Sequence, residues 1–349
     1  MQRVALGLLA LAALALAVAA VQGALDGVPD RDAPEVGSLG TRAGVAVQAR
    51  LLDDKGYAQL VDRVYASVTP ENEMKWERLQ PERGRWDFTE ADRIVDWARE
   101  HGKRVRGHAL VWHLQNPAWL EDGRFSRDEL IGLMRRHIRK VMGRYKGRVQ
   151  EWDVVNEAVE DDRGALRDSV WLRGIGPEYV ALAFRFAREA DPGARLYYND
   201  YGAEQEGIKA QGVLRLLRSL KEGGAPVDAV GLQGHVPTTR LPGFAATLQA
   251  YRALGLRVAF TEVDVRVAVD GGGEPRRGQR ALERQAGRYV TLARGCLAVD
   301  CAGFTVWGVD DRHSWVPQAY PGFGAALPFD GDLRSKPAFA ALRDALAGR

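Results

Sequence analysis

The chain has 349 residues, 46% of them hydrophobic and 27% charged, which is enough apolar material to bury a sizeable core. Its 49 Lys and Arg against 46 Asp and Glu leave a net charge of +3. The basic residues are scattered or in short pairs such as Arg135–Arg136 and Arg276–Arg277, not gathered into a face with interleaved aromatics, so no nucleic-acid partner is expected.

The first residues read as an export signal over 1–23. Arg3 opens it, Val4 to Val21 is an unbroken apolar run, and small residues around Ala17–Ala20 and Gly23–Ala24 offer a cleavage site. The run is long for a signal, so an uncleaved N-terminal membrane anchor is the alternative to a secreted or periplasmic protein. Residues 24–42 are rich in Asp, Pro and Gly and carry no apolar period, the texture of a tail or linker. From residue 43 to 349 the texture is uniform, without a second linker or a repeat, as for one domain.

Within that domain short β-type runs alternate with amphipathic helical ones. Strands are predicted near Gly44–Val47, Ser67–Pro70, Arg104–His108, Val149–Asn156, Arg195–Asp200, Ala229–Gly234, Val258–Val263 and Gly303–Val309. Several are nearly all apolar, which suits parallel strands covered on both faces. Helices are predicted over Glu90–His101, Asp128–Tyr145, Pro177–Ala190 and Lys209–Glu222. Pro177 is placed in a first helical turn, and Gly102 and Gly223 at left-handed helix ends. Eight strand signals alternating with helices fit a single (β/α)8 barrel or a doubly wound sheet. No Gly-rich phosphate fingerprint opens a helix, which disfavours the nucleotide-binding option. Polar residues gather at the C-terminal ends of many strands, the face on which a barrel builds its site.

Two of those strand ends carry glutamates, Glu157 after Trp152-Asp153-Val154-Val155-Asn156 and Glu262 after Val258-Ala259-Phe260-Thr261. A carboxylate ending an apolar strand is paired, hydrogen-bonded or functional, because burying it alone is too costly. Two on one barrel face point to acid/base and nucleophilic work on a glycosidic bond. His108 and His113 lack metal-ligand spacing, and no metal or cofactor is called for. Cys296 and Cys301 are the only cysteines and in an exported protein form a disulfide, or else remain two buried thiols.

The ordered motifs make the chain recognisable. They are Thr69-Pro70-Glu71-Asn72-Glu73-Met74-Lys75-Trp76, Arg106-Gly107-His108-Ala109-Leu110-Val111-Trp112-His113, Trp152 to Glu157, Tyr197-Tyr198-Asn199-Asp200-Tyr201, Gly231-Leu232-Gln233-Gly234-His235, Thr261-Glu262-Val263-Asp264 and Phe304-Thr305-Val306-Trp307-Gly308. Together they resemble the family 10 glycoside hydrolases, mostly endo-β-1,4-xylanases, from about Arg42 to Leu346. The resemblance implies a retaining enzyme with Glu157 as acid/base and Glu262 as nucleophile. It places Asn156 beside the acid, and Gln233, His235 and Asp264 around the nucleophile. It gives Glu71, Asn72 and Lys75 to sugars on the non-reducing side of the cut. His108, Trp112, Tyr201, Trp307 and Trp315 complete the substrate-binding set, whereas Trp76, Trp97 and Trp171 are read as structural. The implied partner is xylan or its oligosaccharides, no protein partner is indicated, and a monomer is the default.

Three features depart from the family pattern: a cysteine pair one residue closer than usual, Ala109 where Thr or Asn is common, and the charged loop Asp310–Trp315. Cellulases and mannanases also end a fourth strand in Asn-Glu, but Ala158 follows here where Pro is common in the cellulase type. A non-hydrolytic carbohydrate-binding scaffold is the rival of another class, and the two intact glutamates oppose it.

Overall fold

The computed structural model describes residues 39–349; the expected export signal over 1–23, and the expected tail up to residue 38, lie outside the described residues. Eight parallel strands close on themselves: β1 (Ala43–Val47), β2 (Ser67–Pro70), β3 (Arg104–Gly107), β4 (Glu151–Asn156), β5 (Arg195–Asp200), β6 (Ala229–Leu232), β7 (Arg257–Ala268) and β8 (Phe304–Val306). Each pairs with the next, and β8 returns to β1 through Phe304–Ala43 and Val306–Val45. Closure leaves no barrel edge exposed. The strands read as apolar because both faces are covered: all five residues of β1 and all four of β6 are buried.

A helix packs outside after each strand: α1 (Lys55–Val64), α2 (Thr89–Glu100), α3 (Arg127–Tyr145), α4 (Tyr179–Ala190), α5 (Ile208–Glu222), α6 (Phe244–Ala253), α7 (Gln279–Ala298) and α8 (Pro337–Leu346). In α1 Tyr57, Leu60, Val61 and Val64 recur at helical spacing and are buried, while Asp54 caps the start by accepting from the Tyr57 N–H at 3.0 Å. Ser126 and Glu129 form a reciprocal capping box at the start of α3. Caps of this kind contribute about 1 kcal/mol each and fix where a helix leaves its loop.

Boundaries shift in places for local reasons. Pro177 lies in the turn before α4, which starts at Tyr179. Gly102 is left-handed as expected, with φ 64°, but after α5 it is Gly224, at φ 68°, that makes the reversal; Gly223 keeps φ −79°. With two glycines in a row, the chain stays helical one residue longer before it turns. The sixth strand is shorter than the expected Ala229–Gly234: β6 stops at Leu232, and beyond it His235–Pro237 forms a separate short strand against the outer half of β7.

That outer half was not foreseen. β7 continues past Glu262 to Ala268, pairing with His235–Pro237 on one side and antiparallel with Phe323–Gly324 on the other. Its pairing with β8 slips between Phe260 and Val263, around Glu262, and β4 slips against β5 between Asp153 and Val155. Such irregularities re-aim side chains, and both lie next to the glutamates. Cys296 at the end of α7 and Cys301 before β8 are joined as a disulfide.

Candidate active site

Glu157 sits at the C-terminal end of β4 with φ 54°, a left-handed backbone that a non-glycine residue adopts only when its surroundings hold it there. Its N–H donates to the Asn199 carbonyl at 2.9 Å, and its own carbonyl accepts from Arg167 Nε at 3.2 Å. The turned backbone delivers the side chain into a set of neutral donors. Trp112 Nε1 donates to Oε2 at 2.9 Å, and Gln233 Nε2 donates to Oε1 at 2.9 Å. The Asn156 amide reaches Oε1 at 3.3 Å, and His113 Nδ1 lies 3.9 Å from Oε2.

Glu262 is surrounded differently. It is buried, and Asn199 Nδ2 donates to its Oε1 at 2.6 Å. His235 Nε2 lies 3.3 Å from Oε2, and His108 Nδ1 lies 3.8 Å from Oε1. Burial pushes the carboxyl pKa up, but the nearby His108 and the hydrogen bond from His235 outweigh it and hold the group below the usual range. His235 is itself fixed from behind: its Nδ1 is 2.7 Å from Asp264 Oδ2, which also accepts from Trp315 Nε1 at 2.8 Å. Burial lowers the imidazole pKa, yet Asp264 and Glu262 overcome this and push it up to about 10.

A second chain of charges approaches from the barrel interior. Arg106 grips Asp153 with Nε at 3.1 Å and a second short contact from Nη2, and Asp153 Oδ2 lies 3.0 Å from His108 Nδ1. Asp153 is buried, which pushes its carboxyl up, but Arg106 and His108 bring it below the ordinary value. Arg106 lies 4.0 Å over the Tyr197 ring, a further contact for a buried guanidinium. This row of polar groups ends on Glu262, so His108 faces the nucleophile candidate and not open solvent.

Glu71, Asn72 and Lys75 form one linked group beyond β2. Gln48 Nε2 donates to Glu71 Oε2 at 2.9 Å, and Lys75 Nζ donates to Asn72 Oδ1 at 3.1 Å. The ammonium of Lys75 lies 4.8 Å over the Trp112 ring. Burial lowers its pKa, with Glu262, Glu71 and Glu157 pulling the other way. Gln115 joins the group by donating to Asn72 Oδ1 at 3.3 Å. Trp307 stands edge-on to His108 at 5.1 Å, and Trp315 stands edge-on to His235 at 4.7 Å. These indoles and Trp112 wall the space around the two glutamates.

Tyr201 belongs to a cluster on the Glu157 side. Its hydroxyl donates to Asp161 at 2.8 Å and accepts from Arg167 at 3.0 Å, and Lys209 Nζ lies 3.0 Å over its ring. Lys209 also bridges Asp161 at 2.7 Å and the fully buried Asp200 at 3.0 Å. Burial and the negative charge of Glu157 raise Asp200 to about 7, against Lys209 and the Tyr198 hydroxyl.

The fold thus brings every residue of the expected site to one end of the barrel, with two changes of role. Gln233 serves Glu157 and not Glu262, because its side chain reaches Asn156 and Glu157 from the end of β6. Trp315 holds Asp264 through its N–H, so it buttresses the support of Glu262 as well as walling the cleft. Asn199, Asp153 and Arg106 had been given no role. Their signal was a polar residue in a strand covered on both faces, which must find a partner. Asn199 had a second signal in Gly231 on the neighbouring strand, where any Cβ would collide with the Asn199 Oδ1.

Comparisons with known proteins point to one family. The model of glycosyl hydrolase family 10 matches residues 35–345. Endo-1,4-beta-xylanase A of Fusarium oxysporum f. sp. lycopersici is 40% identical over 309 residues, 85% of this chain and 92% of that protein. Endo-1,4-beta-xylanase 2 of Aureobasidium pullulans is 41% identical over 291 residues, covering 80% and 79%. Among solved structures, native xylanase 10B from Thermotoga maritima superposes with a TM-score of 0.84 at 39% identity, over 89% of this chain and 96% of that one. Xylanase 10B from Thermotoga petrophila in complex with xylobiose gives 0.85 at 37% identity, over 92% and 98%. With a family match over most of its length, and a barrel whose strand ends carry the motifs in family order, the chain belongs to glycosyl hydrolase family 10.

Proposed function

We propose that the protein is a retaining endo-1,4-β-xylanase, with Glu262 as nucleophile and Glu157 as acid/base. The observation that carries this is the unlike surroundings of two neighbouring glutamates. Glu262 faces His235 and His108 and is held anionic. Glu157 instead meets the neutral donors of Trp112, Gln233 and Asn156, and no histidine stands as close to it as His235 stands to Glu262.

In the first step a Glu262 oxygen bonds to the anomeric carbon while the bond to the leaving oxygen breaks. That oxygen takes the proton of Glu157. In the second step water gives a proton to Glu157 and bonds to the anomeric carbon, and Glu262 leaves. Asn156 lies next to the acid, placed to bond the sugar 2-hydroxyl as oxocarbenium character develops. Glu71, Asn72 and Lys75 take the sugars on the non-reducing side, and Tyr201 lies on the leaving-group side with Glu157. The relatives named above support xylan as the substrate, and Trp112, Trp307 and Trp315 narrow the space for a sugar that carries an exocyclic CH₂OH. Discrimination of that kind is worth about 1–3 kcal/mol, so slow turnover of glucose-based aryl substrates is expected.

The test is a panel of xylan, cellulose and mannan with the native chain and Glu262→Ala. Xylan cleavage should dominate the panel, and Glu262→Ala should lose on the order of 10⁴-fold or more in kcat. Unchanged xylan hydrolysis by that variant would remove the nucleophile assignment. Export and action as a monomer belong to the same reading. N-terminal sequencing of the protein from medium, periplasm and membrane fractions should give a start near residue 24, and a full N terminus in the membrane fraction would favour the anchor.

A further inference from the structure

Trp171 lies in the short helix Val170–Ile175 behind the site, and neither the motifs nor the proposed mechanism assigns it a role. It is buried, with 1% of its surface exposed, yet its indole N–H does not point into solvent or at a random acceptor. Nε1 donates to the Trp112 carbonyl at 2.8 Å across 59 residues of sequence. The indole of that same Trp112 donates to Glu157 Oε2 at 2.9 Å. Two indoles therefore stand in series behind the acid/base carboxyl, one holding the backbone of the other.

The far side of Trp171 is equally fixed. Its ring stacks on Trp76 at 5.2 Å with an interplanar angle of 26°, and Trp76 stacks on His137 of α3 at 3.6 Å and 11°. His137 in turn lies against Trp86 at 5.8 Å. Both His137 ring nitrogens are buried without a hydrogen-bond partner, so the ring acts in this column as a flat filler. Trp76 is anchored by its own N–H on Gln80 Oε1 at 3.2 Å. The Trp112 carbonyl has one other partner, the local Asn116 amide at 3.0 Å, and Asn116 is partly exposed. The N-terminal side of Trp112 is tied to β4, where the Val111 N–H donates to the Val154 carbonyl at 3.0 Å and the Val111 carbonyl accepts from the Asn156 N–H at 2.9 Å; on the carbonyl side the buried support is the aromatic column.

We infer that Trp171 is a positioning residue for acid catalysis: through the Trp112 carbonyl it sets where the Trp112 indole presents its N–H to Glu157. Buried, packed support of this kind keeps a reacting group within a few tenths of an ångström of its working place, and small displacements there cost rate steeply. The inference rests on the reading of Glu157 as acid/base, and it makes a prediction that packing alone does not. Protonation of the leaving group matters when that group is a poor one and hardly at all when it departs as a stabilised phenolate. Loss of the Trp171 N–H should therefore be felt on poor leaving groups only.

The experiment compares kcat/KM on phenyl and 2,4-dinitrophenyl β-xylobiosides for the native enzyme, Trp171→Phe, Glu157→Ala and Trp97→Phe. Trp97 stacks on His101 on the outer helix α2 and serves as the packing control. The expected result for Trp171→Phe is a loss of about 10-fold on the phenyl substrate and less than about 2-fold on the dinitrophenyl one, the size of one displaced hydrogen bond. Trp97→Phe should move neither. Should Trp171→Phe fold poorly, the sulfur isostere of tryptophan, benzothienylalanine, at position 171 removes the N–H alone and should show the same asymmetry. Equal losses on both substrates, or no loss, would overturn the positioning role. Glu157→Ala separates the two failures: it must show the asymmetry strongly, and if it does not, the acid assignment is what has failed.

Discussion

His235 lies between two carboxylates, Asp264 at 2.7 Å and Glu262 at 3.3 Å. Its raised pKa means that folding favours the charged ring. The stabilisation from this pair is fully present below the ordinary histidine value of 6.5, declines as the pH rises and is gone above about 10. Asp264→Asn should remove the main cause of the shift. We expect kcat to fall by about 10–100-fold, the cost of a lost hydrogen bond to a charged group, and the alkaline limb of the rate profile to move to lower pH. Rate profiles of the two proteins check this, and an unmoved alkaline limb would contradict it. Glu157 and Glu262 were legible in the sequence because an acid that ends an apolar run needs a reason to be there. The partner of Gln233 was not, since which glutamate its amide meets depends on how β6 twists relative to β4. The same limit hid the job of Trp315, whose flat ring suggests stacking while its N–H binds Asp264.

Whereas the caps at Asp54 and Ser126 are seen only in the structure, the eight strands and the four helices α2 to α5 were legible from alternation. Their ends were less so. The reversal after α5 falls on Gly224 although Gly223 offers the same freedom, and β7 runs on past Glu262 because a short strand and a hairpin edge are there to pair with it. Within α3, His137 carries a consequence that sequence alone conceals, since its period reads as simply core-facing. Burial without partners lowers its pKa to about 3, so the fold binds it neutral. The unfolded chain takes up a proton below about 6.5, and the native ring does so only near 3. Stability therefore falls on acidification through that window, by at most about 1.4 kcal/mol per pH unit. His137→Phe keeps a flat ring in the column and should flatten this part of the slope. Urea unfolding at pH 7 and pH 4 measures it, and an equal drop in both proteins would show that other groups carry the acid sensitivity.

Closure of the barrel joins β8 to β1, and the disulfide sits at that seam. Cys301 lies three residues before β8, and its carbonyl accepts from Arg42 at 3.2 Å, just before β1. The Cys296–Cys301 loop is short, so its effect through the unfolded chain is about 2 kcal/mol. Cys296→Ala/Cys301→Ala should lower the urea midpoint accordingly and leave kcat at 25 °C unchanged, because the seam lies at the opposite end of β8 from Trp307. A parallel loss of kcat would mean that the seam and the site are coupled. The order of motifs was enough to read the whole molecule as one barrel. Its closure was not in any local pattern, since Ala43 and Phe304 meet only after all eight units have turned.

The assignment of Glu262 as nucleophile and Glu157 as acid/base is tested most directly by the anomeric form of the first product. Proton NMR during cleavage of xylohexaose should show the β anomer first, with the α form appearing only by mutarotation. An α anomer formed first would mean single displacement by water, and the double-displacement roles of both glutamates would be wrong.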